Sequence, residues 1–151
     1  MVHAATHENI PDLVEMMQEF YDESAFSLDR DAAVSSFKTL LDEPAFGAIW
    51  MCFDGKDATG YVVLTICFSM EYGGFEGCVD DLYVRPAARR KGVGNRLLES
   101  LLIECHDRNL ESLQVEVAPY NGAAKALYEK IGLQIRQDDR DVMVATFKTT
   151  F

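Results

Sequence analysis

VDDLYVRPAARRKGVGNR, residues 79–96, is the stretch on which the reading of this chain turns. Its first part is the apolar end of a strand over Cys78–Val84, and Pro86 lies beyond that end. Its second part, RRKGVGNR at residues 89–96, is basic and carries two glycines. The apolar spacing then changes period. Val93, Leu97, Leu98, Leu101, Leu102 and Cys105 form one stripe of a helix over Val93–Cys105. A basic glycine loop between a strand and a helix suits an anion. Glycine lets the backbone come close, and the N–H groups of a first helical turn have no partner within the helix.

Downstream, Ser112–Val117 alternates as a strand, so residues 78–117 make a strand–helix–strand unit with one parallel crossover. Ala123–Ile131 is helical and stops at Gly132, a C-terminal cap. Leu133–Arg136 and Val142–Phe147 read as two closing strands around the polar turn QDDRD. Upstream, Ala48–Phe53 and Tyr61–Met70 are strands joined through DGKDATG, and EYGGFEG is a loop. Ile10–Tyr21 and Asp31–Leu41 each show an apolar helical face, with Pro11 tolerated in a first turn. Val2–Thr6 is a short first strand. The order is β-α-α-β-β-β-α-β-α-β-β, an α+β chain with a mixed, mostly antiparallel central sheet flanked by helices. No repeat, biased tract or linker divides residues 1–151, so a single domain is expected.

The chain has 151 residues, with 48% apolar and 26% charged residues. Its mean hydropathy is −0.07. These values describe a soluble globular protein and exclude a disordered one. No apolar run approaches the roughly 20 residues of a membrane span, and MVHAATHENIP lacks a signal-peptide pattern. A net charge of −11 argues against a nucleic-acid partner. That charge is uneven. Residues 1–84 hold 16 acids and 3 bases, whereas Arg85–Arg96 holds five bases and no acid. Cys52, Cys67, Cys78 and Cys105 have no metal-ligand spacing, and His3, His7 and His106 are scattered, so no metal is expected. The first three cysteines sit in apolar strand stretches and read as free thiols of a reducing, cytoplasmic setting.

Three nucleotide-binding patterns compete for the basic loop. GxxxxGK[ST] is absent, and GVGNRL places Leu97 where GxGxxG needs its third glycine. The spacing Arg-x-x-Gly-x-Gly, Arg89 to Gly94, fits a third pattern, the pyrophosphate loop of acyl-CoA-dependent acyltransferases. With VDDLYVRP at 79–86 and VAPYNGAAKALYEKIGL at 117–133 in the expected order, the chain resembles the GNAT superfamily of N-acetyltransferases. The central strand and the Asn121/Tyr128 block also bear a partial likeness to diamine acetyltransferases. Many relatives have glycine at the position of Arg90.

The resemblance implies acetyl-CoA as cosubstrate. Its pyrophosphate would meet Arg89, Arg90, Lys91, Gly92, Val93, Gly94 and Asn95, and its pantetheine arm the main chain of Leu82, Tyr83 and Val84. The sheet would be splayed between Cys78–Val84 and Ser112–Val117. Asn121 is expected to face the cofactor or to cap its helix. Tyr128 occupies the family's general-acid position beside the leaving sulfur. Asp80 and Asp81 are the candidate bases, directly or through a water, because an alkylamine of pKa about 10 must lose a proton before it attacks. Strand alternation would send those two aspartates to opposite faces. A backbone N–H near Leu82 or Tyr83 would polarise the thioester carbonyl.

The acceptor side is expected among the first two helices, where Glu19, Asp22 and Glu23 would form, with Asp80 and Asp81, an acidic rim for a small cationic or polyamine-like amine. Two other readings stand beside it: a protein lysine or N-terminal acetyltransferase, and a non-catalytic acyl-CoA-binding sensor or interaction module. The resemblance also implies a homodimer, with Leu133–Phe147 supplying an edge or an exchanged segment.

Overall fold

The computed structural model describes residues 1–137 and 140–147. Its elements are β1 (Val2–Ala4), α1 (Ile10–Glu23), α2 (Arg30–Asp42), β2 (Gly47–Asp54), β3 (Asp57–Ser69), β4 (Gly74–Val84), α3 (Val93–Asp107), β5 (Ser112–Val115) and α4 (Gly122–Lys130). The strands lie in sequence order, β1-β2-β3-β4-β5. All neighbours are antiparallel except β4 and β5, which the α3 crossover makes parallel. This is the α+β architecture expected, with the expected crossover.

Strand alternation divides the core. Tyr61 and Val63 of β3, with Ile49 and Met51 of β2, face α1 and α2, where Leu13, Val14, Met16 and Phe37 cover them. Val62 and Leu64 point the other way, onto Leu97, Leu98 and Leu101 of α3 and Tyr128 of α4. β3 is therefore buried on both faces, which is why it reads as a continuous apolar run. The helix starts have local causes. Asp29 caps α2 by accepting from the Ala32 N–H at 3.0 Å, and Asn121 caps α4 by accepting from the Ala124 N–H at 3.1 Å. Gly132 follows α4 with φ +99° and donates its N–H to Glu129, so it ends the helix as read.

Two readings change. β4 begins at Gly74, so much of the supposed EYGGFEG loop is strand. The two closing strands do not form among the described residues: Leu133–Arg136 and Val142–Phe147 are irregular. Asp138 and Asp139 of the turn between them lie outside the described residues. Alternating side chains make a strand only where a partner supplies hydrogen bonds. Here Val142, Val144 and Phe147 are 80%, 80% and 92% exposed, and no strand among the described residues pairs with them to fix a register.

Leu98 is fully buried under the sheet and holds the start of α3 in place. Leu98→Ala is expected to lower the unfolding free energy by about 3 kcal/mol, measured by urea denaturation, with an unchanged m-value.

Candidate active site

The loop ahead of α3 is built from two left-handed residues. Arg90 has φ +62° and Gly92 φ +77°. A non-glycine residue such as Arg90 costs about 1 kcal/mol in that conformation. Gly92 is the N-cap of α3 and no side chain caps that end. The first intrahelical bond comes only from Arg96, which donates to the Gly92 carbonyl at 3.1 Å. The N–H groups of Val93, Gly94 and Asn95 thus precede the helix ladder, with exposed Arg90 and Lys91 beside them. Asn95 buries its side-chain oxygen without a protein partner among the described residues. Gly94 has a further role: a Cβ there would stand 3.0 Å from Leu127 Cδ2, so its absence lets α4 pack close.

Arg89 is placed differently from its expected phosphate role. Its Nε donates to the Val84 carbonyl at 2.8 Å, its Nη2 donates to both carboxylate oxygens of Glu23, and its guanidinium lies 5.7 Å over the Tyr83 ring. It ties the loop to α1. Arg85 does the same one turn earlier, with three contacts to Glu19 and one to the Ala58 carbonyl. The Tyr83 hydroxyl donates toward both Glu19 and Glu23. Asp22 accepts from Gln18 at 2.9 Å. The three acids of α1 expected in an open rim, Glu19, Asp22 and Glu23, are engaged by this chain's own donors.

The β4–β5 ladder runs from Glu76/Ser112 to Val79/Val115 and ends there. β4 continues to Val84, so the edge of Asp80–Val84 that faces β5 has no strand partner among the described residues. The strand expected over Ser112–Val117 ends at Val115, so this opening lies where β5 stops. A β-bulge sits at its base. Val63 pairs with Asp81 and Leu64 with Val79, which leaves Asp80 as the extra residue. The bulge overturns the alternation argument, because Asp80 and Asp81 line the same cavity.

That cavity, of about 580 Å³, lies between α2 and the β3–β4 face. Its apolar wall includes Met17, Phe37, Leu40, Phe46, Val63 and Ile66. Asp81 accepts from the Tyr61 hydroxyl at 3.0 Å. Burial raises its pKa to about 6, the Tyr61 hydrogen bond opposes that rise, and Asp80 adds to it. The Tyr61 phenol is pushed well above its usual range by its own burial and by Asp81. Tyr21 is raised too, by burial and then by Asp81 and Asp80, which places it near the same carboxylates.

Tyr128 is 8% exposed in the α3-side core, where burial raises its pKa to about 12, with smaller contributions from Cys78 and Asp81. It also lines a second cavity of about 950 Å³, bounded by β5, α4 and residues 131–136. The phenol is within electrostatic reach of Cys78 and Asp81 on β4. Asn121 Oδ1 is engaged in the α4 cap, leaving its amide N–H groups for other partners. Cys78 stands between these groups, its pKa raised to about 11 by burial, Asp80 and Glu116. Cys67 is exposed and Cys78 half-buried, although both sit in apolar strand stretches. Tyr61, Tyr21 and Cys78 were not singled out from sequence. The link of Tyr61 to Asp81 depends on the β3–β4 register, for which the sequence carries no signal.

Comparison with known proteins bears on all of this. Over 57 residues the chain is 40% identical to the ribosomal protein bS18-alanine N-acetyltransferase of Escherichia coli, a match spanning 38% of each chain. A solved integron cassette protein from the mobile metagenome of Cole Harbour Salt Marsh is 38% identical, with a TM-score of 0.86 over 99% of this chain and 91% of its own. A predicted acetyltransferase of Clostridium acetobutylicum, solved with acetyl-CoA, shares the fold at TM-score 0.80 and 15% identity over 96% of this chain and 95% of its own. The model of the Acetyltransferase (GNAT) family matches residues 10–133. That match covers both the loop before α3 and the α4 block with Tyr128, and the chain belongs to this family.

Proposed function

We propose that the chain transfers the acetyl group of acetyl-CoA to a primary amine. The observation that carries this reading is the end of the β4–β5 ladder at Val79 and Val115, together with an Asp81 carboxylate that acts electrostatically on the buried Tyr128 phenol. The uncapped first turn of α3 and the two left-handed loop residues fit a pyrophosphate, with the N–H groups of residues 93–95 and the cations Arg90 and Lys91 as ligands. The free edge of Asp80–Val84 fits an extended pantetheine arm, which can bond to it as an added strand. Acetyl-CoA supplies an activated thioester. Every proton step belongs to the protein.

Asp81, with a pKa of about 6, is ionised at pH 7 and above, and it is a far stronger base than an ordinary aspartate. It withdraws the ammonium proton, directly or through a water that Asp80 helps to hold. Tyr128 stays protonated, because its pKa of about 12 lies far above working pH. Complete transfer from such a phenol to a thiolate of pKa about 8.5 is uphill by about 5 kcal/mol. Its contribution is therefore a hydrogen bond to the departing sulfur, which receives its net proton from the amine. The free thiols fit a cytoplasmic setting. A homodimer through the exposed segment Val142–Phe147 belongs to the same proposal, and light scattering tests it.

A second reading is acetylation of a protein N-terminus, favoured by the match to the bS18-alanine enzyme. Peptides beginning with alanine, incubated with acetyl-CoA and followed by mass, test it directly. The acyl-CoA sensor reading predicts acetyl-CoA binding without thiol release over any amine.

Thiol release from acetyl-CoA over a panel of primary amines is the direct test of the main reading. Tyr128→Phe is expected to lower kcat by about 10²-fold and leave acetyl-CoA affinity within twofold, since the lost bond forms to sulfur only as it departs. Tyr61→Phe removes the hydrogen bond that lowers the Asp81 pKa. The acid limb of kcat/KM, near pH 6 in the parent, is therefore expected to move to higher pH. Ionised Asp81 is also a folding cost. Its folded pKa exceeds its unfolded value, so the penalty is absent below pH 3.8 and complete above about pH 6. Asp81→Asn is expected to stabilise the fold at pH 8 by on the order of 3 kcal/mol more than at pH 4, read by urea denaturation at both pH values.

A further inference from the structure

We infer that the acceptor taken by the cavity between α2 and β3–β4 is a primary amine with a single cationic end and an uncharged, largely apolar body. The inference rests on the amine-transferase reading above and narrows its substrate class. Among the described residues that line this cavity only Asp80 and Asp81 are charged, and both come from the one bulge. They give one anchor for one ammonium group, set where the base must act.

The rest of the described wall offers no second charged anchor. Two of its four hydroxyl residues, Ser36 and Thr39, already donate within α2. Ser36 Oγ donates to the Ala32 carbonyl at 2.8 Å and Thr39 Oγ1 to the Ser35 carbonyl at 2.9 Å. The acids of α1 that a polyamine would need are held elsewhere. Glu19 pairs with Arg85 at 2.8 Å, Glu23 with Arg89 at 2.7 Å and Glu15 with Arg30 at 3.4 Å. Asp29 accepts from the α2 N-terminus. A second ammonium placed against Phe37, Leu40 and Phe46 would lose hydration with no carboxylate to replace it. An alkyl or aralkyl chain gains by the same contact, because it covers apolar wall.

Pentylamine and 1,5-diaminopentane separate the two cases, having the same chain length and reactive group. Both are assayed with acetyl-CoA at pH 8 by thiol release, and their binding to the full chain is measured by calorimetry. Pentylamine is expected to show a kcat/KM at least tenfold higher. Thr39→Glu, on the exposed α2 rim of the cavity, supplies the missing second carboxylate. It is expected to bring the two amines to within threefold or to invert their order. A diamine that equals or exceeds pentylamine on the parent chain overturns the inference. So does a preference that Thr39→Glu leaves unmoved. If neither amine releases thiol, binding decides. Tighter binding of pentylamine keeps the inference and removes the transferase reading, whereas equal or absent binding of both amines removes the inference itself.

Discussion

The parallel pairing of β4 with β5 stops after four residue pairs, and the site depends on that stop. β4 runs on alone for Asp80–Val84. A strand edge without a partner is a liability in most folds, since its N–H and C=O groups seek any extended chain. Here the exposed edge opens between the face that carries Asp81 and the core that carries Tyr128. The bulge at Asp80 marks the same place. It ends the regular ladder on one side and turns two adjacent aspartates to one cavity on the other.

Charge pairing organises what surrounds this opening. The chain has many more acids than bases, but few of the acids near the site face solvent unengaged. Arg85 and Arg89 draw Glu19 and Glu23 of α1 down onto the end of β4, with Tyr83 bonded to both. These pairs are partly exposed, so each is worth little as a stabilising contact. Their effect is positional. They tie the C-terminal half of α1 to the loop before α3, and they remove two carboxylates from the acceptor side. The remaining anionic charge in the cavity is concentrated at Asp80 and Asp81. Asp81 is held there against its own preference, by burial and by the Tyr61 hydroxyl. A group destabilised in the fold and raised toward neutral pH is suited to accept a proton.

Much of the fold and of the anion loop is legible in the sequence. The change from period-two to helical spacing after Val84 marks the crossover, and Arg89-x-x-Gly92-x-Gly94 marks the anion loop. The α3 stripe and the Gly132 cap are local signals and were read correctly, because propensity and periodicity act over a few residues. The closing strands were over-read. Val142–Phe147 has the alternation of a strand but no described partner, and alternation does not supply one. The partners of Glu19, Glu23 and Arg89 were also out of reach. They join positions more than sixty residues apart.

The sequence by itself determined the order of elements from β1 to α4, the glycine that opens α3 in a left-handed conformation, and the family to which the chain belongs. These follow from local sterics and from short patterns of residue type. Only the tertiary structure decided which acids remain available, where Tyr128 stands relative to Asp81, and that Asp80 and Asp81 share a face. Each of those depends on register. A single extra residue in β4 reverses the direction of every side chain beyond it, and no single-strand pattern records where the partner strand places that residue.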